Sequence, residues 1–255
     1  MNSLLVFPEE IKDKLASIRG EHLNYVRELH ELEVGMNIQV GIVGGNKGRG
    51  VVISIDNSEI TIELSCQSPP LAREAINLIV AVPRPQTQKK VLQLAATFGI
   101  ESLHFVRSQN TEKSYLSSHS LEPKNQLWEL LRGLEQTGDT ILPNVVIHDR
   151  FRPFMEDTLL KTQEINQSKK FLLETIAFEA NANFAKIDSI DPSAKVTMAI
   201  GPEAGWNDFE RELFIKSGFE PISLGKRIYR CETAVSVSLA QIQLLRERYV
   251  RSLKD

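Results

Sequence analysis

Cysteine is scarce. Cys66 and Cys231 are the only two among 255 residues, far apart and without C-x-x-C spacing, which argues against a disulfide framework and against a zinc site. The five histidines are scattered and form no H-x-x-x-H pair, so no metal enzyme is expected. Long apolar runs are missing too; Ile76 to Val82 is among the longest and is far too short to cross a bilayer. The first residues carry neither the basic region nor the apolar core of a signal peptide, so a cytoplasmic protein with no membrane partner is expected. There are no internal repeats and no low-complexity tracts. Net charge is small as well, −3 from 33 acidic and 30 basic residues, so any surface that grips a polyanion must be local.

What is present falls into two textures. Residues 11–30 read as a helix, after which Met36 to Val43, Gly50 to Ile55 and Glu59 to Leu64 alternate apolar and polar residues with the period of half-buried strands. Their connections, Gly44 to Gly50 and Asp56 to Ser58, are turn-rich, so the segment reads as a small antiparallel sheet or barrel. Ser68-Pro-Pro70 is the expected linker, dividing residues 1–70 from 71–255. Beyond it, strands alternate with longer helical patterns, which implies a parallel α/β sheet. Strands are expected at 76–82, 102–106, 145–147, 170–175, 196–200 and 221–224, and helices at 87–98, 125–135, 152–163, 207–217 and from Glu232 onward.

Two segments near the C-terminus carry the chemistry. Ala199-Ile-Gly-Pro-Glu-Ala-Gly-Trp-Asn207 is a buried strand stopped by Gly201-Pro202, and Asn207 with Glu210 has capping-box spacing for the next helix. Ser223-Leu-Gly-Lys-Arg-Ile-Tyr-Arg-Cys-Glu-Thr-Ala234 repeats the plan, with Gly225 as its turn. Ligands in parallel sheets bind where strands end, so both loops belong to one crevice, which the end of the 170–175 strand, Leu173-Glu174-Thr175, also joins.

These motifs resemble the ribosomal RNA small-subunit methyltransferase E family of the SPOUT superfamily, whose wording is close to I-G-P-E-G-G and L-G-x-R-I-L-R-x-E-T-A. Glu21-His-Leu-Asn-Tyr-Val-Arg27 is similar to that family's N-terminal H-(I/L)-x-x-V-L-R signal, although the usual opening Arg-Phe-Phe is absent. The resemblance implies a C-terminal SPOUT-type α/β trefoil-knot domain behind a small PUA-like β-barrel that binds RNA. It implies S-adenosyl-L-methionine as cofactor, ribosomal RNA or the small ribosomal subunit as substrate, methyl transfer to uridine N3, and a homodimer formed through the C-terminal helix. That helix has apolar residues, among them Val237 and Leu244, beyond what one sheet edge needs. No G-x-G-x-x-G opens a helix after an early strand, which disfavours a Rossmann methyltransferase.

Carried over residue by residue, Leu173, Glu174, Ile200, Gly201, Pro202, Glu203, Gly205, Leu224, Gly225, Ile228 and Thr233 would hold the cofactor, the glycines by letting it approach the backbone. Arg227 and Arg230 would stabilise charge on the uracil oxygens, and Glu232 would position an arginine or accept the N3 proton. Alternatively Arg227 pairs with Glu232 structurally, or both lie at the subunit interface. Glu203 reads as an acid at a helix N-terminus, stabilised there with or without a function. Trp206 reads as packing against its own helix rather than stacking on a base. Gly44 to Gly50 leads into no helix through a Lys-Ser/Thr pair and so is no phosphate loop; it reads as a flexible hairpin turn in preference to an RNA clamp built on Lys47 and Arg49.

Departures from the family lie mid-chain. Leu94 and Thr97 stand where a lysine and a glutamate are usual, and Asp139 where an arginine is. Each would remove a polar group expected to face substrate or organise the site. A divergent enzyme with another RNA target, or a binding protein without catalysis, therefore stays open beside the rRNA enzyme.

Overall fold

The computed structural model describes residues 3–159, 161, 165, 167–174 and 183–254. Two six-stranded sheets organise them. The first has the order β1-β4-β5-β6-β3-β2, built from β1 (Leu4–Val6), β2 (Ile11–Lys12), β3 (Leu15–Arg19), β4 (Asn37–Ile42), β5 (Lys47–Ile55) and β6 (Glu59–Ser68). Its edge strands β1 and β2 are joined by four residues, so the five Cα–Cα steps of 3.8 Å from one to the other reach at most about 19 Å. A flat six-stranded sheet would set them about 24 Å apart. The sheet must therefore curl toward closure. The period-two pattern holds, with Ile38, Val40, Ile60, Ile62 and Leu64 buried on the inner face.

The expected helix over 11–30 is half wrong. Its first part is the β2–β3 hairpin, turned by Asp13 at φ 57°, in which Ala16 and Ile18 point into the core and β3 pairs with β6. Gly20, at φ 60°, then redirects the chain into α1 (Gly20–Leu29). An alternation only five residues long was hidden inside a plausible helical spacing. The glycine-rich turn is also shorter than expected, because Lys47 to Gly50 already belong to β5.

The second sheet is parallel throughout, in the order β12-β10-β11-β7-β8-β9. Its strands are β7 (Glu74–Ala81), β8 (Ile100–Val106), β9 (Asn144–His148), β10 (Lys169–Glu174), β11 (Val196–Ile200) and β12 (Glu220–Ser223). Helices α2 (Pro85–Thr97), α3 (Pro123–Thr137) and α5 (Cys231–Ser252) cover one face. The other face is covered by α4 (Asp208–Lys216) and an aromatic group that includes Phe151, Phe154, Trp206 and Phe214. The helix expected at 152–163 is helical at Phe151–Pro153 and π-helical at Phe154–Leu159; residues 160 and 162–164 lie outside the described residues, as does Thr175 at the end of the expected 170–175 strand. Helices α2 and α3 approach closely at Gly133, where a Cβ would come 2.3 Å from the Gln93 carbonyl oxygen.

The three mid-chain departures sit away from the strand ends. Helix α2 starts at the carboxyl end of β7, so its last turns, with Leu94 and Thr97, lie at the opposite edge of the sheet. Leu94 packs against the core, and the Thr97 hydroxyl donates to the Gly133 carbonyl at 3.4 Å. Asp139 is buried, and its Oδ1 accepts the Thr140 N–H at 2.7 Å. None of the three lines the crevice at the strand ends, so the family's usual residues at these positions would not reach a ligand held there.

The two sheets are joined around Glu135, a carboxylate only 2% exposed at the end of α3. Its carboxylate accepts the Leu5 N–H at 3.3 Å and the Tyr25 hydroxyl at 2.9 Å, with His30 Nε2 at 3.6 Å. Its carbonyl accepts the Ser3 N–H at 3.0 Å. Nearby, Lys47 Nζ donates to the Gly138 carbonyl at 2.9 Å and Thr140 Oγ1 to that of Gly45 at 2.6 Å.

A buried polar chain crosses the parallel sheet: Ser102 donates to Asn77, approaches His104 Nε2 at 3.1 Å, and His104 Nδ1 lies 3.1 Å from His148 Nε2. Burial, then the neighbouring His148, lowers His104 from 6.5 to about 4. The folded state thus favours neutral His104, and this contribution is complete above the unfolded value and is lost as pH falls toward the folded one. Stability is expected to decline by roughly 3 kcal/mol from this group between pH 6.5 and 4. Urea unfolding of wild type and His104→Phe across that range checks it: the variant should lose that part of the slope, and an unchanged slope refutes the assignment.

Candidate functional site

Parallel strands β10, β11 and β12 finish at one level, with Leu173 paired to both Ile200 and Ile222, and Glu174 to Ser223. The chain leaving β11 forms a tight turn in which the Gly205 N–H donates to the Pro202 carbonyl at 2.8 Å. It then enters α4 through the expected capping box. Asn207 Oδ1 accepts the Glu210 N–H at 2.8 Å, and Glu210 Oε2 accepts the Asn207 N–H at 3.2 Å. The chain leaving β12 turns at Gly225, whose φ of 142° disfavours any side chain, and is pinned by Ser223 Oγ, which accepts the Gly225 N–H at 3.1 Å.

A cavity opens between these loops. From β10 it is lined by Leu173 and Glu174, from the first loop by Ile200, Gly201, Pro202, Glu203 and Gly205, and from the second by Leu224, Gly225, Arg227 and Ile228. Tyr229, Cys231 and Ala234 complete it and were not anticipated from sequence. Cys231 and Ala234 are three residues apart on α5, so helical spacing was the signal that could have found them. Arg230, Glu232 and Thr233 do not line the cavity. Arg230 is the exposed residue before α5, and Glu232 and Thr233 lie half-buried in its first turn.

Gly201 and Gly205 have different reasons to be glycine. A Cβ on Gly201 would press on the Trp206 ring and backbone at 3.1–3.2 Å, whereas at Gly205, with φ 74°, it would meet nothing within 4 Å. The missing side chain at Gly201 thus makes room for Trp206, while its backbone still lines the cavity. Trp206 itself is 2% exposed and packs edge-on against Phe214 at 4.9 Å between ring centroids, the packing role expected for it. Glu203 is not at a helix N-terminus: it lies in the turn ahead of Asn207 and meets Arg84 at 3.4 Å.

Charges around the cavity are sorted by α2. Its cap residue Arg84 pairs with Glu203, and Lys90 donates to Glu232 at 3.1 Å, so Glu232 has Lys90 and not Arg227 as its ion-pair partner. Burial raises the Glu232 carboxyl, but its own backbone N–H, Lys90 and Arg230 outweigh that and hold it below the usual range. Among the described residues, the exposed side chains of Lys226, Arg227 and Arg230 make no ion pair. The rim is therefore positive in a chain that is negative overall. Inside, burial pushes the Cys231 thiol up to about 12, so it stays protonated and apolar in character. Glu174 is buried beside the cavity and accepts Arg211 Nε at 2.8 Å. Burial raises its carboxyl, and Arg211 partly offsets this. No three His, Cys, Asp or Glu side chains among the described residues are placed to hold a metal ion, and no described helix is long and apolar enough to cross a membrane.

A glycine-turned, largely apolar cavity at converging parallel strand ends, rimmed by unpaired arginines, suits a nucleoside-containing ligand and a polyanionic partner. The comparisons agree: residues 70–243 match the RNA methyltransferase domain family, and the chain belongs to that family. Within it, the chain is similar to ribosomal RNA small subunit methyltransferase E of Treponema pallidum, at 28% identity over 95% of this chain and 90% of that protein. It is also similar to the Synechocystis protein of the same name, at 26% identity over 96% and 78%. Two solved structures share the fold. A Legionella pneumophila protein with the cofactor S-adenosylmethionine bound has TM-score 0.76 and 19% identity, over 96% of this chain and 98% of that one. Ribosomal RNA small subunit methyltransferase E of Neisseria gonorrhoeae, also bound to S-adenosylmethionine, has TM-score 0.72 and 19% identity, over 95% and 98%.

Arg211→Met leaves the Glu174 carboxylate buried without this partner, a loss of about 3 kcal/mol when the acid is charged. Because burial favours the protonated acid, the folded state takes up a proton more readily than the unfolded one, and the penalty is present above Glu174's folded pKa and relieved as pH falls. Denaturant unfolding should show a larger deficit for the variant at pH 8 than at pH 5. An equal deficit at both would mean that Glu174 is not the group left exposed to the change.

Proposed function

We propose that this chain is an S-adenosyl-L-methionine-dependent RNA methyltransferase that modifies N3 of a uridine in small-subunit ribosomal RNA. The observation that carries the reading is the assembly of both motif loops and the end of β10 into one cavity. The lining fits the cofactor. Leu173, Ile200, Leu224 and Ile228 offer an apolar slot for adenine, main-chain groups of 200–203 and 224–228 offer its hydrogen bonds, and Gly205 and Gly225 keep the backbone accessible. Thr233, outside the lining, is assigned to the same site by its motif position.

When bound, S-adenosylmethionine supplies an electrophilic methyl group on a sulfonium. Uridine N3 must lose its proton to attack such a group, and the negative charge then spreads onto the uracil oxygens. Arg227 and Arg230, exposed and without ion pairs, are the cations available to stabilise it. The pairing of Glu232 with Lys90 makes it a weak base, which favours its role as a positioning group for Arg230 over that of proton acceptor.

The curled N-terminal sheet, residues 1–70, serves in this reading as the PUA-like RNA-binding domain, with 71–255 as the catalytic unit. A trefoil threading of the second domain is supported by topology: β12 lies outside β10, yet α5 returns to pack on α2 and β11. Leu244, Val250 and the loop residue Ile228 leave apolar surface uncovered, which supports a homodimer through α5. Action on the ribosome places the protein in the cytoplasm.

Calorimetric titration with S-adenosylmethionine, followed by transfer to small subunits from a strain lacking the gene, tests the reading through the appearance of N3-methyluridine. Transfer to a different RNA alone would assign another substrate, and tight cofactor binding with no transfer to any RNA would leave a binding protein. Arg230→Ala should lower kcat by about a hundredfold or more with cofactor affinity unchanged. Undiminished transfer would remove Arg230 from the mechanism.

A further inference from the structure

The carboxyl edge of the parallel sheet continues past the cavity to β8 and β9, two and three strands beyond β11, or about 10 and 14 Å at the usual strand spacing. There the loops that follow these strands gather Arg107, Arg150 and Arg152 around an open groove, with Phe209 of α4 on its wall. Phe209 is 52% exposed, unusual for a phenylalanine in the first turn of a packed helix. Among the described residues, the half-buried side chain of Arg107 has no hydrogen-bond or ion-pair partner.

Acids are present, and they leave the arginines usable. Arg152 Nε donates to Glu156 at 2.7 Å, and Arg150 Nε lies 3.8 Å from Asp149. Both contacts use the inner nitrogen, so the terminal Nη groups remain for a second, forked acceptor such as a phosphate. Glu210, the remaining acid of the groove, is 1% exposed and occupied by the N–H groups of Asn207 and Gln109.

The groove is mechanically continuous with the cavity. The Gln109 N–H donates to Glu210 Oε1 at 2.7 Å, Asn207 Nδ2 donates to the Gln109 side chain at 2.9 Å, and Asn110 Nδ2 reaches the Gly205 carbonyl at 3.5 Å. The loop after β8 is thereby fastened to the same turn that lines the cavity.

We infer that this groove is a second RNA contact, in which Arg107, Arg150 and Arg152 hold the phosphates of nucleotides flanking the target and Phe209 stacks on one of their bases. It rests on the RNA methyltransferase reading and adds to it the path of the strand: from the cavity along the edge of β8 and β9. Three arginines and an exposed aromatic ring, on the same edge as the cavity of an acidic chain, match a single-stranded polyanion with π-faces.

The test is fluorescence anisotropy of a labelled 16S rRNA transcript, and of small subunits lacking the modification, with wild type, Arg107→Ala/Arg150→Ala, the single Arg150→Ala, Phe209→Ala and the charge control Lys216→Ala. The double variant should bind the transcript about tenfold more weakly, with the slope of log affinity against log salt reduced by about one per arginine. Phe209→Ala should lose about tenfold with the slope unchanged. Lys216→Ala should match wild type, and calorimetric affinity for S-adenosylmethionine should be the same in all. Arg150 is exposed, so its single variant carries the test if the double variant fails to fold. Unchanged RNA affinity and slope in a wild-type-like background overturn the inference and leave the reading of function intact. Weaker binding to subunits with undiminished binding to naked transcript would assign the groove to a protein, and also overturns it. A wild type that binds no RNA overturns both.

Discussion

Three parallel strands that stop at one level are the constraint on which the rest of the molecule depends. β10, β11 and β12 are held in register by main-chain hydrogen bonds, so Leu173, Ile200 and Ile222 are fixed side by side whatever their side chains. Their loops have no choice but to share a volume. Short strands that bury apolar residues such as Leu172, Leu173, Met198, Ile200 and Ile222 provide this rigidity, and Gly205 and Gly225, placed where their loops turn, keep the volume open. The cavity is thus a consequence of backbone pairing, with side chains supplying only its chemistry.

Helix α2 supplies much of that chemistry without lining the cavity. Leaving β7 beside the loops, it offers Arg84 to Glu203 and Lys90 to Glu232. Both nearby acids are neutralised from outside, and the cations of the second loop are left over. A chain with net charge −3 can in this way present a positive rim exactly where a polyanion would have to approach. The same logic of local surplus recurs along the edge of β8 and β9.

Much of this was legible beforehand. The period-two runs, the parallel alternation of strands and helices, and the Asn207 and Glu210 cap could be read directly, because each depends on local spacing; that both motif loops share one crevice followed from strand ends, and their individual residues came from the family resemblance. The β2–β3 hairpin could not, since its five-residue alternation also fits a helix and only pairing with β6 decides between them. The distance of Leu94, Thr97 and Asp139 from the cavity was not legible for another reason: a motif position says nothing about which edge of the sheet it will occupy. Gly201 is a similar case, a glycine explained by Trp206 five residues later and visible only once the turn is folded. Cys231 and Ala234 were missed although their spacing puts them on one face of α5, and Tyr229, ahead of that helix, carried no such signal.

The carboxylate of Glu135 ties β1, α1 and the end of α3 through Leu5, Tyr25 and its neighbour His30. Such a latch removes the freedom of the curled sheet to swing on its linker. In the proposed reading, where that sheet grips RNA, the distance from the grip to the cavity is then a property of the fold, so the molecule would act as a caliper, choosing its nucleotide by span as well as by the identity of the base.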